Sequence, residues 1–277
     1  MDHVILLPKE HLKAYLIKKI TIEILDCINP DSVYLSGSTT AAGPEIIFTI
    51  FIDTLYTRPE TELQLIADRI LKPYESVVYR LFSCDYARDA IQKGNLYLLT
   101  HCTFGTMVYA GEASGSGFSM DAVMVQTLLV RIKDGFKKRM DHAGAYAAAV
   151  LQYIESGKYA DAVCLLHMIL ELLFKTAQSF LMGRELPSKS IPELQDYIKV
   201  FAPSLGTLFN PTDATEVRLQ VLLYSAYRNK PHLDISKADA ERLYQKATWA
   251  QQEVSRLFEG AIRDCGDRAN TELVVER

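Results

Sequence analysis

The segment Ile46-Ile47-Phe48-Thr49-Ile50-Phe51-Ile52, preceded by Gly43-Pro44, decides the fold of the first half of the chain. Thr49 is its single polar residue, and the rest is isoleucine and phenylalanine. A continuous run of β-branched and aromatic residues predicts a strand that is buried on both faces. A strand of this kind requires covering elements on both sides of its sheet. The segment therefore predicts a small sheet with helices packed on it.

Helical and strand patterns alternate around this segment. Apolar residues at four-residue spacing, starting at Leu12 and Leu16, predict an opening helix that ends at Asn29-Pro30. Short β-rich runs predict further strands at Val33–Leu35, Ser76–Phe82 and Thr106–Ala110. Two further helices are predicted at Glu60–Leu71 and Asp85–Gln92.

Beyond Gly117 every pattern is helical. The clearest stripe runs from Tyr159 to Met182, and Gly183 follows it as a C-cap. The other predicted helices are Met120–Met140, Asp141–Glu155, Ile191–Phe201, Thr215–Arg228 and Lys237–Ile262. Helices with short connections favour an antiparallel, up-and-down bundle.

We therefore expect an α+β protein with two domains. A mixed α/β domain is predicted at residues 1–117 and a helical bundle at residues 118–277, with the boundary at the Gly/Ser-rich stretch Gly111–Gly117. The polar tail from Arg263 to Arg277 is predicted to be disordered.

Composition limits the classes of function. The chain has 277 residues, 49 % of them hydrophobic, which is enough for one or two cores, and its net charge of −4 excludes a global basic field for nucleic acid. Its five cysteines form no CxxC pair, so we expect free thiols in a reducing cytoplasm. Since no apolar run approaches the length of a membrane span, no membrane association is expected.

Gly37-Ser38 is the first candidate for chemistry. It follows a short predicted strand as a turn, where backbone N–H groups and the missing Cβ of glycine suit a phosphate. An ordinary strand-end turn is the alternative. A Walker loop is excluded because no Gly-Lys-Ser/Thr sequence follows.

An opening helix, a strand that ends in Gly37-Ser38, a second strand about ten residues later and a helical second half resemble proteins that fuse a minimal nucleotidyltransferase domain to a HEPN domain. In such transferases the Gly-Ser turn holds the triphosphate, and two carboxylates on the next strand bind magnesium. Glu45 matches the first carboxylate, but Ile47 occupies the place of the second, and Asp53 lies about 26 Å further along the strand. The resemblance implies a transferase fold without transferase activity or bound magnesium, and a nucleotide as the ligand.

The second half resembles the HEPN pattern in several segments. These are Tyr146–Gly157, Lys158–Ala162, Leu166–Glu171, Leu222–Arg228 and Asp234–Lys237. HEPN domains that cut RNA carry an arginine and a histidine that support attack of a 2′-hydroxyl. In Arg228-Asn229-Lys230-Pro231-His232 only three residues separate the pair, fewer than in the RNA-cutting members.

Each candidate residue of the second half has a functional and a structural interpretation. Arg228, Lys230 and His232 suit a phosphate-binding or RNA-facing cluster, or a solvated helix end. His167 and Glu171 lie at i,i+4 spacing, which favours a mutual hydrogen bond within the bundle.

The basic run from Arg131 to Arg139 contains Lys137 and Lys138, our further candidates for nucleotide binding. These lysines suit a ligand cleft, or a solvated helix face. Most of the 15 tyrosines fall on apolar helix faces, where they are expected to pack rather than to stack on bases.

The leading hypothesis is a non-catalytic protein that binds a nucleotide or RNA, requires no cofactor and forms a homodimer through its bundle. The alternative is an enzyme, either a metal-independent RNase that uses Arg228 and His232 or a residual nucleotidyltransferase that uses Ser38 and Glu45. A purely structural homodimer is the third hypothesis.

Overall fold

The computed structural model of the protein describes residues 5–6, 13–38, 43–53, 58–111, 118, 120–228 and 234–275. The chain forms two compact units. The first unit comprises Met1–Leu129 together with Arg263–Arg277, and the second unit comprises Val130–Ile262.

A four-stranded mixed sheet organises the first unit. Its strands are β1 (Ser32–Ser36), β2 (Ile46–Ile52), β3 (Val77–Ser83) and β4 (Thr106–Ala110). The order is β3-β2-β1-β4, with β1 antiparallel to both of its neighbours and β2 parallel to β3. All seven residues of β2 are buried, which confirms the prediction of a strand covered on both faces.

The helices begin and end close to the predicted positions. They are α1 (Ala14–Ile28), α2 (Glu60–Leu71), α3 (Cys84–Gln92), α4 (Leu96–Leu98), α5 (Ala122–Glu155), α6 (Tyr159–Met182), α7 (Ile191–Ile198), α8 (Pro203–Gly206), α9 (Ala214–Tyr227) and α10 (Lys237–Val275). Gly183 ends α6 in the left-handed region at φ 75°, as its C-cap position predicts. The protein is thus α+β, with a helical C-terminal region.

Side-chain alternation along β2 divides the core of the first unit into two layers. Ile46, Phe48, Ile50 and Ile52 pack with the apolar faces of α1 and α2 in one buried cluster. The intervening residues point to the opposite face, where Thr49 Oγ1 lies 2.8 Å from the hydroxyl of Tyr97 on α4. An aromatic cluster fills this second layer, with members Tyr34, Phe51, Phe82, Tyr97 and Phe118.

A π-helical turn, Leu99–Thr103, follows α4 directly, in a region where the sequence patterns predict no element. Its His101 is buried, and Nδ1 lies 2.8 Å from Ser36 Oγ at the end of β1. The turn requires glycine at position 105, because a Cβ there would lie 1.8 Å from the carbonyl oxygen of His101. Burial, helped by the charge of Arg268, lowers the pKa of His101 to about 3.

Helix α5 corrects the predicted division into Met120–Met140 and Asp141–Glu155. The helix is continuous over 34 residues. No proline interrupts it, and Gly135 and Gly144 keep helical backbone within it. A glycine inside a helix costs about 1 kcal/mol relative to alanine, which is too little to break a long helix.

The predicted disordered tail is wrong for the described residues, because α10 continues to Val275. Cys265 and Ala269 are fully buried, and Gln126 Nε2 donates to Asn270 Oδ1 at 3.2 Å. The last turns of α10 therefore belong with the start of α5 in the first unit. The compact units consequently differ from the predicted boundary at Gly111–Gly117, of which residues 112–117 lie outside the described part of the chain.

All five cysteines are free thiols, as predicted. In the part of the chain that the structure describes, no helix is long and apolar enough to cross a membrane.

The buried His101 predicts a stability that depends on pH. Its pKa is about 3 in the folded protein and 6.5 in its ordinary state, so between these values the unfolded chain binds the proton and the folded chain does not. The contribution of His101 is therefore complete above about pH 6.5 and decreases as the pH falls toward 3, by up to about 1.4 kcal/mol per pH unit.

We expect His101→Gln to flatten the pH profile of the unfolding free energy between about pH 6.5 and 3, since glutamine does not titrate. Urea unfolding of the wild type and the variant across this range measures the difference. Parallel profiles for the two proteins would show that His101 titrates normally in the folded state.

Candidate functional site

The first candidate site lies where β1 ends and β2 begins. The backbone N–H of Ser38 donates to the carbonyl of Pro44 at 3.1 Å, and the carboxylate of Glu45 pairs with the ammonium of Lys13. A Cβ at Gly37 would lie 3.4 Å from the carbonyl oxygen of Glu45, an ordinary contact. The Ser38 amide and the Glu45 carboxylate are thus engaged within the protein, and a phosphate would have to displace Pro44 to reach the amide.

Ile47 stands opposite Ser36 in the β1–β2 ladder and is 1 % exposed. The place of the second metal carboxylate is therefore taken by a buried apolar side chain. Asp53 follows the far end of β2. Among the described residues no group of three His, Cys, Asp or Glu side chains is arranged to hold a metal ion. Nucleotide binding by Gly37, Ser38 and Glu45 stays a prediction.

The basic run of α5 lies in the second unit. Lys137 and Lys138 are exposed, and Lys137 Nζ lies 4.0 Å from Asp141. Arg139 is occupied structurally, since it donates to Glu185 at 2.8 Å and to Thr176 at 3.4 Å. The two lysines are available to solvent, and their role in nucleotide binding also stays a prediction.

The predicted HEPN-type residues meet where α6 packs against the end of α9. His167 on α6 is fully buried, and its ring stacks on Tyr227 of α9 with centroids 4.3 Å apart and planes at 15°. The predicted hydrogen bond between His167 and Glu171 is not formed, because the closest atoms are 4.0 Å apart. Glu171 accepts instead from Lys175 at 2.7 Å.

The environment of His167 favours the neutral imidazole. Burial lowers its pKa, while the charge of Glu171 and the backbone of Lys189 oppose that shift in part. Neither ring nitrogen makes a hydrogen bond of normal geometry with the residues that the structure describes. His167 is therefore a buried packing partner of Tyr227 in this arrangement.

A group of cations and tyrosines covers this buried histidine at the protein surface. Lys189, in the loop before α7, donates from Nζ to the Tyr227 hydroxyl at 2.7 Å. Arg228 is exposed at the end of α9, and its guanidinium carbon lies 5.9 Å from the ring centre of Tyr224, which is 43 % exposed. We call Lys189, Tyr224, Tyr227 and Arg228 the tyrosine–cation platform.

Only part of the platform was predicted. Arg228 was a candidate, whereas Lys230 and His232 of the same predicted cluster lie outside the described residues. The i,i+4 spacing of Tyr224 and Arg228 is a local signal for contact on one helix face. Lys189 is 38 residues from Tyr227 in sequence, so no local pattern indicates that the two side chains meet.

Two contacts hold the end of α9 to the start of α10. Arg218 binds Asp239 through both guanidinium nitrogens, at 2.6 and 2.9 Å. Ser236 and Asp239 also form a capping box, in which each backbone N–H donates to the side chain of the other residue at 3.1 Å. These contacts bridge residues 229–233 and so keep α9 and its platform against the bundle.

No protein-family model matches the sequence, and a search of curated proteins finds no match. The resemblance to nucleotidyltransferase and HEPN domains therefore depends on the motifs alone.

The bridge between Arg218 and Asp239 predicts a second pH-dependent contribution. Hydrogen bonds from Arg218, together with those from Ser236, lower the pKa of Asp239 from 3.8 to about 2 against the opposing effect of burial. Because the folded pKa is lowered, the stabilising contribution is complete above about pH 4 and is lost as the pH falls toward 2.

We expect Asp239→Asn to lower the melting temperature at neutral pH and to remove the part of the acid destabilisation that occurs below about pH 4. Asp89→Asn is the control, since Asp89 forms an ion pair with Lys93 and its side chain is 58 % exposed. Equal effects of the two substitutions in thermal unfolding would argue against a structural role for the bridge.

Proposed function

We propose that this protein binds single-stranded RNA without cleaving it, and that the tyrosine–cation platform of the second unit holds the RNA. The observation that carries the proposal is the interleaving of exposed tyrosine and cation on one helix end. In single-strand binding, bases stack on aromatic rings while cations contact the phosphates. The resemblance to HEPN domains agrees with this assignment.

The charges of the platform are available for phosphate. Lys175 balances the carboxylate of Glu171 at 2.7 Å, and the bonded partner of Lys189 is a neutral tyrosine hydroxyl. Arg228 contacts Tyr224 as a cation over an aromatic ring. Two positive charges therefore face solvent at one place on a chain whose net charge is −4, so we expect weak binding that depends strongly on salt.

Tyr224 provides the surface for a base. Its ring is 43 % exposed, so one face can receive a planar group while the other side of the ring keeps its helix contacts. Base–aromatic stacking of this type contributes about 1–3 kcal/mol per base. This exposure distinguishes Tyr224 from the tyrosines that we expect to pack in the bundle.

The absence of cleavage follows from the position of His167. The ring beside the platform is fully buried and stacked on Tyr227, and its pKa is lowered. A general base has to come within hydrogen-bond reach of the 2′-hydroxyl, which a fully buried ring does not do. In this proposal the first unit is a degenerate nucleotidyltransferase-like domain in which Ile47 replaces a metal carboxylate.

Fluorescence anisotropy with a labelled single-stranded RNA tests the platform. We expect Tyr224→Ala to weaken binding about 5- to 150-fold, the loss of one stacked base. Arg228→Ala should weaken binding and reduce the slope of log affinity against log salt by about 0.7, the value for one phosphate contact on a single strand.

The matched controls are Tyr15→Ala and Lys93→Ala in the first unit. Tyr15 is 83 % exposed, and the side chain of Lys93 is 74 % exposed. If the controls weakened RNA binding as much as the platform variants, or if none of the proteins bound RNA at about 10⁻⁴ M, the platform would not be the site. RNA shortened by the wild type but left intact by Arg228→Ala would instead establish a nuclease.

A further inference from the structure

A cavity of about 770 Å³ lies in the second unit between α8, the start of α9 and α10. This volume falls within the range of about 300–1,000 Å³ that is typical of small-molecule sites. Its walls combine apolar side chains with a few polar groups, as such sites do. The residues that matter for its chemistry are Asp213, Glu216, Arg242, Gln245, Lys246 and Trp249.

One face of α10 presents three unlike groups to this cavity. Arg242, Gln245 and Trp249 occupy positions i, i+3 and i+7, so they follow one another along the same side of the helix. Trp249 is the single tryptophan of the chain and is 42 % exposed. An indole at this exposure offers an open aromatic face, about 10 Å along the helix axis from Arg242.

Most of the charged groups in the cavity already have partners. Lys246 lies 2.5 Å from Glu216, donates to the carbonyl of Leu208 at 2.7 Å and faces the ring of Phe209 at 4.9 Å. Asp213 accepts from the backbone N–H of Thr215 at 2.7 Å as the N-cap of α9.

Arg242 differs from these groups. Its guanidinium makes no hydrogen bond or ion pair with any residue that the structure describes. The cavity therefore pairs one available cation with one open aromatic face.

We propose that this cavity binds a nucleoside monophosphate. The base stacks on Trp249, the phosphate accepts from the guanidinium of Arg242, and the Gln245 amide supplies one donor and one acceptor to the nucleoside between them. The carboxylates of Asp213 and Glu216 repel additional negative charge, so a triphosphate binds more weakly than a monophosphate. This site uses none of the platform residues and does not depend on RNA binding.

Trp249 makes the proposal directly measurable, because all tryptophan fluorescence of the protein comes from this cavity. We expect AMP to change that fluorescence saturably. Adenosine, which lacks the phosphate, and ribose 5-phosphate, which lacks the base, should each bind at least about tenfold more weakly, as should ATP. Isothermal calorimetry with the same four compounds provides the second readout.

Variants separate the two contacts. Arg242→Ala should weaken AMP at least about tenfold and leave adenosine unchanged. Trp249→Ala, followed by calorimetry, should weaken AMP and adenosine alike, whereas Trp249→Phe should retain most of the affinity. Lys237→Ala removes a cation from α10 outside the cavity lining and should bind AMP as the wild type does.

The proposal is overturned if AMP produces neither a fluorescence change nor heat, if ATP binds as tightly as AMP, or if Arg242→Ala binds AMP like the wild type. Its failure is distinguishable from failure of the RNA proposal. Arg242→Ala should keep the RNA affinity of the wild type, and Arg228→Ala should keep its AMP affinity, because the two sites share no residue.

Discussion

Strand β2 has no face left for solvent, and the two layers of the first unit follow from that constraint. Its isoleucines require the apolar stripes of α1 and α2 on one side. On the other side Phe51 and Thr49 require aromatic and hydrogen-bonding partners, which α4 and the π-helical turn provide. The same burial gives His101 its low pKa and leaves an apolar Ile47 where related folds hold a metal ligand. Structure and chemistry at this end of the sheet have one cause.

Burial acts differently in the second unit, where it separates packing from recognition. His167 is withdrawn into the contact between α6 and α9, stacked on Tyr227. The groups left at the surface are cations and the open ring of Tyr224, which suit binding to phosphate and base better than proton transfer. On α10 the same distinction applies, because Lys246 is consumed by Glu216 while Arg242 keeps its charge available. Both proposals concern cations that the fold itself does not use.

Errors in the sequence-based prediction have identifiable physical origins. The tail after Arg263 was expected to be disordered because it is polar on most positions, yet a narrow apolar stripe through Cys265 and Ala269 suffices when a neighbouring helix covers it. The π-helical turn was missed because its hydrogen-bond spacing matches neither the strand nor the α-helix period. The break predicted in α5 failed because glycine lowers helix propensity without ending a helix.

By itself the sequence determined the strands, most helix ends and the α+β class, since these depend on local periodicity and on caps such as Gly183. It also determined that Ile47 stands in place of a carboxylate, a matter of spacing alone. Tertiary structure alone decided which side chains meet. Lys189 reaches Tyr227, and residues of α8, α9 and α10 enclose one cavity, only because distant segments pack together. Contacts between distant segments depend on the three-dimensional path of the chain, which no local pattern encodes.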